Sequence, residues 1–256
     1  MHAVGERLAA LRRTAGLSVR AAASAAEVNL STIYRIEHGL VAPREATVRI
    51  LLARYGVPDA TPLLRLLRGE RAPDWYDAPD VPLHLVEELA LEQQAQVLYT
   101  YGTHYVPPWL QTPAYTAAVH PGAQALTQRR QEELDGRHLW AVLDHAALAD
   151  PPLTGADDRR ELLEAIQAAA KQPHIAIQIA RPSARTGLLH AGPPFTLLRF
   201  PERDRPDELV LHLPTGPVLV ADPGQVEAHH LVFARLSLAA FRVKETFDVV
   251  NAIRET

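Results

Sequence analysis

Two short polar residues eleven positions apart, Ser18 and Asn29, carry the first chemical information in this chain. Each can accept a hydrogen bond from the free backbone N–H groups at a helix start, so they predict helices beginning at Val19 and at Leu30. Between them there is room for one short helix and a tight turn. Ala23 offers little bulk where the two helices would cross, and Val28, Ile33 and Ile36 recur at the spacing of a buried helical face. The outward face then carries Leu30, Ser31, Tyr34 and Arg35. These residue types can read a duplex: the serine hydroxyl donates to or accepts from base edges, the leucine packs on a thymine methyl, and the tyrosine reaches a base or a phosphate. Arg35 grips the backbone, and His38 and Arg44 add phosphate contacts at the helix end and at the next helix start. Ser18, Arg20 and Asn29 complete this candidate DNA-binding set. An exposed helix face with no partner would show the same pattern.

The second candidate set is aromatic. Five of the seven tyrosines, Tyr76, Tyr99, Tyr101, Tyr105 and Tyr115, fall between positions 76 and 115, joined by Trp75 and Trp109. A tyrosine combines a wide apolar face with one hydroxyl, which suits a ligand pocket or a partner surface. Alternation along VLYTYGTHYV predicts Tyr99, Tyr101, Thr103 and Tyr105 on one strand face, although plain core packing would alternate in the same way. With His104, Trp109, Tyr115, Asp144 and His145 these tyrosines form the candidate ligand-binding set. Asp144, His145, His104 and His190 are groups from which an acid–base site could be built, because histidine exchanges protons near neutrality. Nothing in the sequence fixes their separations, so no catalytic residue is assigned and enzymatic activity stays open. His229 and His230, adjacent on a helix, diverge by about 100° and make a poor metal pair. No glycine-rich phosphate loop, GxSxG elbow or HExxH motif occurs, and no cofactor or metal is expected.

The elements that must hold these residues are legible in outline. A helix is expected from about Gly5 to Ala15, with Val4, Leu8 and Leu11 inward and Arg7, Arg12 and Arg13 outward. A further helix starts near Pro43, proline losing no hydrogen bond in a first turn. TPLLRLLRGE closes this helical headpiece at residues 1–70. The Pro- and Asp-rich stretch at 71–82 reads as a linker. From 83 to 256, LHLVEELALEQQAQ, TPAYTAAVH capped by Thr112, TQRRQEELDGR, ADDRRELLEAIQAAA and two C-terminal segments read as helices. LWAVLD, HIAIQIA, FTLLRF, ELVLHL and GPVLVA read as strands. The expected class is α+β, an all-helical headpiece followed by a body with a mixed or antiparallel sheet.

Charge separates these parts. The net charge of −4 arises from +5 over residues 1–72 and −9 over the rest. A basic headpiece on an acidic body suits a protein that offers one end to phosphates. No apolar run reaches the roughly 18 residues needed to cross a bilayer, and MHAVGERLAALRR has no signal core. Together with the absence of cysteine, this points to a cytoplasmic protein that does not engage membranes.

From about Gly5 to Val57 the chain resembles the lambda-repressor or Cro type DNA-binding domain of the xenobiotic-response-element regulators, through the phrase STIYRIEHG. It departs from that pattern at Val19, where a phosphate-bracing Gln is common, and at Glu27, where the turn commonly holds Gly. Since Gly adopts a left-handed backbone without penalty, Glu27 implies either modest strain or a different turn. The body resembles the C-terminal domain that follows such headpieces in regulators of Streptomyces and related actinobacteria, some described as antitoxin-like. The matching phrases are VPPWLQTPAY, RRQEEL, LDHAAL and GPPFTLLRFP, with departures at Pro108 and His145. The resemblance implies a homodimeric, sequence-specific regulator of a double-stranded DNA operator, controlled by a small-molecule effector or a small partner protein. The alternative is a headpiece that has lost DNA binding, with a body acting as an enzyme on a small metabolite or as an antitoxin-like binding module.

Overall fold

The computed structural model describes residues 2–70, 74–134, 136–181 and 192–255; His190 and the first three positions of the expected linker lie outside them. The chain is α+β and forms two compact units, the first ending at Ala90 and the second beginning at Leu91.

Five helices build the first unit: α1 (His2–Thr14), α2 (Val19–Ala25), α3 (Leu30–Glu37), α4 (Glu45–Arg54) and α5 (Thr61–Leu67). Val4, Leu8, Ala22, Ala23, Ile33, Ile36, Val48, Leu51, Leu52, Leu63 and Leu64 are buried together as its core. The approach of α1 to α3 depends on Gly5, where an added Cβ would lie 2.2 Å from the Ile36 carbonyl oxygen. Three expectations need correction. Helix α1 begins at His2 rather than Gly5. Helix α4 begins at Glu45 rather than near Pro43, because Arg44 keeps an extended backbone (φ −75°, ψ 148°) and occupies the flanking position. Arg7 and Arg12 do not point outward: Arg7 is buried and donates to the Ala78 carbonyl, and Arg12 clamps Glu37. A guanidinium can be buried when its planar fork finds matching acceptors, and hydrophobic spacing alone does not reveal them.

The Pro- and Asp-rich stretch forms a short 3-10 turn at Trp75–Asp77, closed by reciprocal hydrogen bonds between Asp74 and Asp77, and a second such turn follows at Leu83–Leu85. Helix α6 (Val86–Gln94) follows, and the division between the units falls within it.

The second unit contains α7 (Pro113–Val119), α8 (Gln124–Glu132), α9 (His145–Ala149), α10 (Ala156–Ala169), α11 (Pro223–Ala239) and α12 (Thr246–Arg254). Its strands are β1 (Val97–Gly102), β2 (His138–Asp144), β3 (Ile175–Ala180), β4 (Phe195–Arg199), β5 (Glu208–Leu213) and β6 (Gly216–Val220), in sheet order β3-β2-β1-β4-β5-β6. Strands β3, β2 and β1 are parallel; β1–β4, β4–β5 and β5–β6 are antiparallel. Side chains alternate across a strand, so each central strand feeds two cores. Leu98, Leu139, Ala141, Leu143, Ile177, Ile179 and Leu198 pack with Tyr115, Leu162, Ile166 and Val250 on one face. Tyr101, Val142, Phe195, Leu197 and Leu209 pack with Val226, Phe233 and Leu236 of α11 on the other.

Candidate nucleic-acid interface

Helix α2 starts as the sequence requires, with the Ser18 hydroxyl accepting from the Ala21 N–H at 3.1 Å. Its end is less ordinary. The Val28 N–H reaches the Ala23 carbonyl at 3.0 Å and the Glu27 N–H reaches Ser24 at 3.3 Å, a closure that needs a left-handed residue between helix and turn. Glu27 supplies it with φ 52°, the sole non-glycine positive φ among the described residues. Of the two outcomes open for this position, strain at an ordinary turn is the one realised. Asn29 takes the expected place before α3 with an extended backbone and an exposed side chain that makes no capping bond.

The buried side of α3 is held by Ile33 and Ile36 and by Glu37, an acid on an apolar face. Arg12 neutralises it through Nε–H to Oε1 at 2.6 Å and Nη2–H to Oε2 at 2.9 Å, while its Nη1–H donates to the Leu17 carbonyl at 2.8 Å. This hydrogen bond to Glu37 raises the Arg12 pKa further. Burial pushes the nearby Tyr55 hydroxyl up to about 12, with the Glu37 charge adding to the effect. The clamp ties α1 to the end of α3 and was missed in the sequence. Its one signal there is Glu37, an anion at helical spacing with Ile33 and Ile36.

With that side fixed, α3 turns Leu30, Ser31, Tyr34, Arg35 and His38 to solvent on one face, Leu30 and Tyr34 at 49% and 52% exposure. Tyr34 and His38 stack with ring centroids 3.9 Å apart, and His38 Nδ1–H donates to the Tyr34 carbonyl at 2.8 Å. The pair therefore presents a phenol and a free imidazole Nε2 together. Ser18, Arg20, Asn29 and Arg44 are exposed as well. Glu37 pairs with Arg12, Glu45 and Glu70 with Arg68, and Glu87 with Arg65. Arg20, Arg35 and Arg44 enter no ion pair among the described residues, so their charge stays uncompensated at the surface. Glu27 is the exposed acid within the motif.

The candidate ligand set is dispersed. Strand β1 ends at Gly102, where an added Cβ would meet the Tyr105 carbonyl oxygen at 2.3 Å; the chain folds back there, and the expected alternation does not extend to Tyr105. Tyr99 and Tyr101 face α11, Tyr99 packing edge-on to Phe233 and accepting from Arg199 Nη1–H at 3.0 Å. Tyr105 packs on Tyr115 and His120 at the opposite face, beside buried Trp109. The Tyr115 hydroxyl accepts from the Val106 N–H at 2.9 Å, and burial raises its pKa. Gln111 donates to the Val106 carbonyl at 2.7 Å, Thr112 caps α7, and Gln131 donates to the carbonyls of Pro108 and Gln111. VPPWLQTPAY is thus a self-satisfied loop, pinned by a residue of RRQEEL. Asp144 is buried and caps α9 through the Ala146 N–H at 3.3 Å; His145 is half-buried and His104 exposed. Among the described residues no group of three or more His, Asp or Glu side chains is disposed to hold a metal ion, and no helix is long and apolar enough to cross a membrane.

Comparison with known families places a helix-turn-helix domain at residues 3–64 and the domain of unknown function DUF5753 at residues 86–252. No curated protein and no solved structure matches the chain. The second match covers well over half of the sequence, so this protein belongs to the DUF5753 family, with a helix-turn-helix domain preceding the family domain.

Proposed function

We propose that this protein is a sequence-specific transcriptional regulator of the xenobiotic-response-element type, acting as a homodimer on a double-stranded operator. Its second unit binds a small-molecule effector or a small, antitoxin-type partner protein. The observation that carries the reading is the outward face of α3: Leu30, Ser31, Tyr34, Arg35 and His38 exposed together beside arginines that no acid pairs with among the described residues. Ser31, Leu30 and Tyr34 are the base-reading residues, while Arg20, Arg35, Arg44 and His38 hold phosphates, with Ser18 and Asn29 at the helix starts. An effector acts by preferring one arrangement of the dimer and so shifting the population that spans two half-sites.

Gel-shift titration on DNA from upstream of its own coding sequence, at several salt concentrations, tests this. The expected result is a preference over random DNA and a log–log salt slope of about 0.9 per phosphate contacted. Equal affinity for both DNAs overturns it. A second reading, in which the headpiece no longer binds DNA and the second unit acts alone on a metabolite or partner, draws support from the exposed Glu27 carboxylate in the motif's turn. A metabolite retained in native mass spectrometry and turned over by the protein is its signature.

A further inference from the structure

Helix α11 packs Val226, Phe233 and Leu236 onto the sheet, yet its opposite side is apolar too. Gly224, Glu227, Ala228, Leu231, Ala234, Arg235 and Leu238 are all exposed, Leu231 at 57% and Leu238 at 87%. Each lies three or four residues from its neighbours one turn away, with Gly224, Leu231 and Leu238 seven apart, which is the seam of a helix that packs on another helix. Glu227 and Arg235 flank Leu231 at equal distances along the helix, and neither enters an ion pair among the described residues. A solvated helix face does not need a leucine seam with a charge of each sign set symmetrically about its centre.

We propose that this face is where a second copy of the chain docks, the two α11 helices running antiparallel about a two-fold axis at Leu231. The inference rests on the dimeric reading above and assigns its surface. Antiparallel pairing about that centre sets each Glu227 against the other copy's Arg235, twice over. It also sets Ala228 against Ala234, and the bulky Leu238 against Gly224, so large residues meet small ones and the central layer is Leu231 on itself. Parallel pairing would oppose Glu227 to Glu227 and Arg235 to Arg235, and is disfavoured by that repulsion. A self-complementary patch of this kind is what a two-fold interface requires. At 17 residues the helix is about 25 Å long, and a single helix pair lies at the low end of stable interface sizes, so association in the micromolar range is expected.

Sedimentation equilibrium of the full chain without DNA, across the micromolar range, tests the assignment. Wild-type protein is expected to dimerise, and Leu231→Glu, Glu227→Arg and Arg235→Glu each to weaken the dimer by about tenfold or more. Mixing the Glu227→Arg and Arg235→Glu proteins is expected to restore dimers, a rescue that misfolded variants cannot give. A monomeric wild type, a dimer indifferent to all three substitutions, or a mixture that stays monomeric overturns the proposal. Loss of operator preference with the dimer intact would instead sink the regulator reading and leave this surface standing.

Discussion

Glu27 holds a backbone conformation that glycine would adopt freely, and its carboxylate projects from the motif that faces DNA in the proposed function. The two effects separate by substitution. Glu27→Gly is expected to stabilise the protein by about 0.5–1 kcal/mol, read as a raised midpoint in urea unfolding, and to tighten DNA binding. Glu27→Gln keeps the strain and removes the charge, so it should tighten DNA binding without the gain in stability. Tyr55 makes a second residue-level case, because its hydroxyl is buried with no hydrogen-bond partner among the described residues. Its pKa rises from 10.0 to about 12 in the folded state. The folded state therefore holds this proton more tightly than the unfolded chain. The associated stability is complete below pH 10 and is lost as pH climbs toward 12. Tyr55→Phe, followed by circular dichroism across that window, should show a shallower alkaline loss and little change at neutral pH. Neither residue was legible in full from sequence: Glu27 stood out as a departure from glycine, while the fate of the Tyr55 hydroxyl depends on burial created by other helices.

Among the elements, α3 is positioned by α1 through two contacts of opposite kind, a close backbone approach at Gly5 and the Arg12–Glu37 clamp. Gly5→Ala is expected to force these helices apart, costing about 1–3 kcal/mol in urea unfolding and weakening DNA binding beyond what the lost stability explains. The starts of α2 and α7, at Ser18 and Thr112, could be read from sequence because a cap is a local hydrogen bond. The end of β1 could not, since Gly102 stops the strand by contact with Tyr105 three residues on, and a string of alternating tyrosines carries no sign of that return. The same limit governed Arg7 and Arg12, whose acceptors lie in distant parts of the sequence.

For the whole molecule, the proposed dimer makes operator geometry a direct prediction. Two recognition helices related by a two-fold axis read half-sites separated by whole turns of DNA, about 10–10.5 base pairs each. Inserting five base pairs between half-sites should abolish high-affinity retention in a gel shift, and inserting ten should restore much of it. The sequence by itself determined the helical headpiece, the α+β class, most strand and helix positions and the outward residues of α3, because periodicity and caps act over a few residues and leave their mark in order along the chain. Only the tertiary structure decided that the tyrosines of 99–115 divide between two faces of a sheet, that two arginines turn inward, and that α11 keeps a leucine seam in solvent. Those outcomes depend on which distant elements meet, and a side chain's local pattern is the same whether it ends in a core, a clamp or an open surface.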